Sequence, residues 1–120
     1  MAKILVVDDD QAILGLIKLW LENEGHTVGQ AMDGDQALDS LKNEEFDVVI
    51  TDLIMPKTEG IQLILELRRS HKKIGIVAIS GGGKNGANYL ESAKKLGADA
   101  ILSKPLVKSD VVGLVDNLLQ

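Results

Sequence analysis

The chain has 120 residues, enough for one domain around one core. It has no Cys, which excludes a disulfide framework, a zinc–thiolate site and a thiol nucleophile. The net charge is −5, from 18 acidic and 13 basic residues, and it argues against a nucleic-acid-binding face. No apolar run is long enough to span a membrane and no secretory pattern opens the chain, so the expected location is cytoplasmic.

Taken in chain order, short apolar runs alternate with helical patterns. Ile4–Val7, Val48–Ile50, Ile74–Ile79 and Ala100–Leu102 read as strands buried on both faces, being aliphatic with little polar alternation. His26–Gln30 is more polar and suits an edge strand. Candidate helices lie at 10–24, 33–43, 58–70, 86–96 and 107–119. Asn23–Gly25 ends the first, Asp33–Gly34 opens the second and Leu96–Gly97 closes the fourth. Five βα units in sequence predict an α/β fold with a doubly wound, five-stranded parallel sheet and right-handed crossovers. Residues 1–120 read as a single domain without linker or repeat; Gly81–Gly83, with Gly86 close behind, reads as a loop after the fourth strand.

The chemistry gathers at strand ends. Asp8, Asp9 and Asp10 follow the first strand. Helix capping accounts for one of them, Asp10, and leaves Asp8 and Asp9 as ligands for a hard divalent cation. Asp52 follows the third strand, either as an ordinary turn aspartate or as a nucleophile toward phosphorus. Ser80 ends the fourth strand, as a turn hydroxyl or as a donor to a phosphoryl oxygen. Lys104–Pro105 follows the fifth. The lysine is either a solvated charge or a point-charge phosphate binder, and a cis bond suits the proline at this turn. Without Asp8, Asp9, Asp10 and Asp52, 14 acids face 13 bases, so most of the charge excess belongs to this rim.

The order Asp8-Asp9, Asp52, Ser80, Lys104-Pro105 resembles the receiver domain of bacterial two-component response regulators, of the chemotaxis and sporulation-phosphorelay type, over essentially the whole chain. The resemblance implies a flavodoxin-like (βα)5 fold with strand order 2-1-3-4-5. It makes Asp52 the phosphoacceptor. Asp8, Asp9, Asp52 and the Ile54 carbonyl would be ligands of Mg2+, with Mn2+ as an alternative. Ser80 and Lys104 would contact the phosphoryl group, and the protein would catalyse its own phosphorylation and dephosphorylation. Implied partners are a sensor histidine kinase or a histidine phosphotransfer protein. An effector domain or a second copy would meet the face formed by the fourth helix, fifth strand and fifth helix; no direct nucleic-acid or membrane contact is expected.

Three positions depart from the family pattern. Ile101 stands where receivers usually carry a switch aromatic, so signalling is expected through Ser80 and the loop after the fourth strand. Ile54 and Gly82 offer no side-chain donor or acceptor to a hydrolytic water, which predicts slow phosphate loss. The loop Gly81–Ala87 looks about two residues longer than in the chemotaxis type.

Several features carry blander expectations. His26 and His71 read as solvated loop residues, and Arg68–Lys73 as a solvated helix end. The first helix holds more apolar residues than one face needs, so Leu16, Leu19 and Trp20 are candidates for exposure and contact. The last helix reads as mostly core. Two other functions compete. Asp8 and Asp10 could be nucleophile and acid of a haloacid-dehalogenase-like phosphatase, although Ala12 replaces the small hydroxyl residue such enzymes need. The chain could also be a non-catalytic receiver-like binding module.

Overall fold

The computed structural model describes residues 2–53, 60–70, 73–80, 94–95 and 97–120. Its strands are β1 (Lys3–Val7), β2 (Thr27–Ala31), β3 (Val48–Asp52), β4 (Gly75–Ser80) and β5 (Ala100–Ser103). Its helices are α1 (Gln11–Asn23), α2 (Gly34–Asn43), α3 (Gly60–Ser70) and the C-terminal α4 (Lys108–Leu119). All strand pairs are parallel and the order is β2-β1-β3-β4-β5, as the sequence predicts. Ile54, the loop Gly81–Gly83 and His71 lie outside the described residues. Of the helix predicted over 86–96, Lys94 and Lys95 are described, and both are helical.

The sheet works as a two-sided wall because successive side chains alternate between faces. Leu5, Val7, Val49, Ile76 and Ala78 pack with Leu41, Leu63, Ile64 and Leu67 of α2 and α3. Ile4, Val6, Val48, Ile50, Val77 and Ile79 pack with Leu14, Ile17 and Leu21 of α1 and Val111 and Val115 of α4. A strand such as β3, buried at every residue, is the natural result. The stops work as predicted: Gly25 and Gly97 have φ of 92° and 132°, a region open to Gly and strained for other residues. Asp10 and Asp33 cap α1 and α2 by accepting the backbone N–H of Ala12 and Gln36.

Four expectations need correction. β5 is not buried on both faces: Ala100 and Leu102 are half-buried, Ser103 is exposed, and Ile101 is 38% exposed. The C-terminal helix is less of a core element than its composition suggests, with only Val111 and Val115 buried. His26 is half-buried, and its Nδ1 accepts the Ala2 backbone N–H at 3.2 Å, so it is not a free loop residue. Arg68 is no solvated helix end. It donates to Gly97 O at 2.8 Å, Ile74 O at 2.7 Å and Asp99 Oδ2 at 2.6 Å, tying α3 to the turn that starts β5. On α1, Leu16 and Leu19 are exposed as expected, while Trp20 is half-buried. Among the described residues no helix is long and apolar enough to cross a membrane.

Candidate functional site

Strand order reverses between β1 and β3, whose connections leave on opposite sides of the sheet. The crest above such a switch point is where open α/β sheets bind ligands. Asp8 and Asp9 leave β1 at that crest, and Asp52 ends β3. One carboxylate oxygen from each lies within 4.8 Å of the other two. Asp8 and Asp52 are buried and Asp9 is exposed, so the cluster has a dry floor and an open side.

Each acid is held by a local feature of the chain. Asp8 Oδ1 accepts the Asp10 backbone N–H at 2.9 Å, and the next oxygen along, Asp10 Oδ1, accepts Ala12 N–H at the same distance. Two nested turns thus aim Asp8 inward while Asp10 serves the helix. β5 supplies the cation. Lys104 N donates to Ser80 O at 2.8 Å, and the Lys104–Pro105 peptide is cis, as expected at this turn. Lys104 Nζ reaches Asp52 Oδ2 at 3.3 Å and Asp8 Oδ2 at 3.5 Å. Ser80 is buried at the end of β4.

Among the described residues, one ammonium faces three carboxylates. Burial pushes the Asp8 carboxyl from 3.8 up to about 6; the Asp10 N–H and Lys104 oppose this, and the Asp52 charge adds to it. Burial alone would lower Lys104, but the Asp52 and Asp8 charges outweigh it and hold Lys104 above its usual value. Among the described residues, two buried side-chain oxygens have no hydrogen-bond partner, Asp8 Oδ2 and Ser80 Oγ. Both belong to this crest. Buried polar atoms are seldom left so, and here they suit a ligand rich in oxygen and a cation that binds oxygen. The donor set is all oxygen, which fits Mg2+ or Mn2+ and not a thiolate or imidazole metal.

The structure therefore brings Asp8, Asp9, Asp52 and Lys104 together, with Ser80 on the neighbouring strand end. Ile54, named above as a carbonyl ligand, falls outside the described residues. Ile101 sits on the outer strand opposite Ala78. Two residues that the sequence reading passed over also touch the site. The Thr51 hydroxyl donates to Asp52 O, and Gly60 lies against the Asp52 peptide. A Gly in the first turn of a predicted helix was the available signal for the second.

A doubly wound parallel domain with an acidic, metal-capable crest and Lys104 across it defines a flavodoxin-like class suited to phosphoryl chemistry. Comparison with known proteins gives the family. Residues 4–116 match the model described as "Response regulator receiver domain", and the chain belongs to that family. It is 37% identical over 120 residues to the transcriptional regulatory protein CpxR of Escherichia coli (strain K12), covering 100% of this chain and 50% of the relative. It is 32% identical over 118 residues to the alkaline phosphatase synthesis transcriptional regulatory protein PhoP of Bacillus subtilis (strain 168), covering 98% and 48%. The chain thus spans about half the length of the curated relatives it matches. Among solved structures, a response regulator receiver domain protein from Clostridium thermocellum superposes with a TM-score of 0.92 at 32% identity, covering 99% of this chain and 94% of that one. The receiver domain of NtrX from Brucella abortus gives 0.92 at 30%, covering 97% of both.

Proposed function

We propose that Asp52 accepts a phosphoryl group from a phosphohistidine donor, a sensor histidine kinase or a histidine phosphotransfer protein, and that residues 1–120 act as one receiver domain. The observation that carries this reading is the convergence on Asp52 of two more carboxylates and the Lys104 ammonium from two other turns of chain. An Asp52 carboxylate oxygen attacks phosphorus, the donor P–N bond breaks, and the imidazole nitrogen keeps the electron pair and is protonated from solvent. Asp8, Asp9 and Asp52 would hold Mg2+, with Ile54 O as a further ligand, and the ion would neutralise charge on the phosphoryl oxygens. The Lys104 ammonium then pairs with a phosphoryl oxygen instead of sharing two carboxylates. Ser80 Oγ–H, with no partner among the described residues, donates to another. Such positioning and charge neutralisation is most of what phosphoryl transfer asks of a protein. Hydrolysis of the aspartyl phosphate by the same groups would reset the site.

The phosphatase alternative loses its acid here, because Asp10 is occupied in capping α1. A purely non-catalytic module would leave the grouping of Asp52 with Lys104 unexplained. The relatives' names describe transcriptional regulation; with a net charge of −5, this chain would serve such output by control through a partner face rather than by reading bases. Its place would be the cytoplasm, where the donor's phosphohistidine is found. Incubation with acetyl phosphate and Mg2+, read by intact mass, should add one phosphoryl group to the wild type and none to Asp52→Ala. Uptake by Asp52→Ala would overturn the assignment.

A further inference from the structure

Above Thr51 the support of β3 becomes one-sided. β1 pairs with β3 only as far as Val7 opposite Thr51, whereas β4 continues to Ile79 opposite Asp52, and Leu53 N donates to Ile79 O at 3.0 Å. Peptide groups along a strand face alternate neighbours. With Leu53 N–H turned toward β4, the Asp52 carbonyl faces the β1 side, one residue beyond the last β1–β3 pair, Val7 opposite Thr51. The Asp52 oxygen accepts the Thr51 hydroxyl at 2.9 Å in a buried bond. Gly60, the first residue of α3, closes in on the same peptide. A Cβ there would fall 2.1 Å from Asp52 O and 2.5 Å from Leu53 Cα, both backbone atoms that cannot swing aside.

We propose that Thr51 is a positioning residue for Asp52. Its hydroxyl holds the Asp52 carbonyl and, with Gly60 pressed against the same group, fixes the peptide that carries the Asp52 carboxylate. The inference rests on Asp52 as the phosphoacceptor. A rotation of that peptide swings the Cα–Cβ bond and moves the carboxylate relative to Lys104 and the β1 acids. Misplacement of a reacting group by about 1 Å costs on the order of a hundredfold in rate.

Thr51→Val keeps the side-chain volume and removes the hydroxyl; Thr51→Ala removes it with less bulk; Thr51→Ser keeps it. Phosphorylation by acetyl phosphate at saturating Mg2+ should slow about tenfold or more in the Val and Ala variants, and stay within about twofold of wild type in the Ser variant. Mg2+ affinity should change by less than about threefold in all, because two of the three carboxylates sit on the β1 turn and do not depend on this peptide. Full phosphorylation rates in Thr51→Val and Thr51→Ala, with only a lowered melting temperature, would reduce Thr51 to a core residue and overturn the proposal. So would a parallel loss of rate and Mg2+ affinity, which signals general loosening of the crest. If wild type takes up no phosphoryl group, or Asp52→Ala does, the underlying assignment has failed instead.

Discussion

Replacing Asp8 by Asn should make the metal-free protein more stable. Asp8 is buried, and its carboxyl is held at about 6 against 3.8 for an exposed aspartate. The folded state therefore holds a proton on Asp8 more tightly than the unfolded chain does. Between pH 4 and 6 the folded state binds more protons, so this group's contribution to stability falls as pH rises through that window and is level above it. At pH 7.5 the carboxylate is ionised in both states, and its full cost, about 3 kcal/mol, burdens the folded one. Asn is close in shape to the neutral carboxyl, and its oxygen can still accept the Asp10 N–H that Asp8 Oδ1 accepts. At pH 7.5 in EDTA, thermal unfolding followed by circular dichroism should show Asp8→Asn melting roughly 10 °C above wild type. At pH 4.5 the gap should shrink to a fraction of that. Adding Mg2+ should raise the wild type by mass action and leave the variant almost unmoved. Equal melting temperatures at pH 7.5 without metal would refute the view that Asp8 is held ionised at a cost.

Other outcomes follow from the same arrangement. Lys104→Met removes a cation that shares Asp8 and Asp52 with any bound metal; Mg2+ should bind several-fold more tightly while phosphorylation slows, measured by titration calorimetry and by intact-mass time courses. Asp99→Ala strips one acceptor from both Ile76 N–H and the Arg68 guanidinium; the cost should be about 2–3 kcal/mol in urea unfolding, with the denaturant slope unchanged.

The parts of this fold that could be read in advance are those written in local code. An aliphatic run followed by Asp marks both a parallel strand and the acid at its end, and β1 and β3 follow that rule. Caps and stops are equally local, as Asp10, Asp33, Gly25 and Gly97 show. The misreadings have long-range causes. Whether both faces of β5 are covered depends on what packs over them, and its own residues look the same in either case. Arg68 sits in a basic run that resembles a solvated helix end, and its carboxylate partner lies 31 residues away. Thr51 and Gly60 act on a backbone oxygen, which no side-chain pattern announces.

The two ends of the sheet differ in a way that bears on where ligands go. At the end where strands begin, charges are matched: Lys3 pairs with Glu44 and lies 5.4 Å from the Phe46 ring centroid, Asp47 accepts the Lys3 N–H, and Arg68 is tied to Asp99. At the end where strands finish, among the described residues three carboxylates share one ammonium and two buried oxygens lack hydrogen-bond partners. A fold selected for stability alone would neutralise both ends, since an unmatched buried carboxylate is a large term against a total stability of roughly 5–15 kcal/mol. Among the described residues the mismatch lies at the crest above the topological switch point. Its net negative charge calls for a divalent cation, and its ammonium and hydroxyl call for an anion beside it; a phosphoryl group arriving with Mg2+ meets both demands at once.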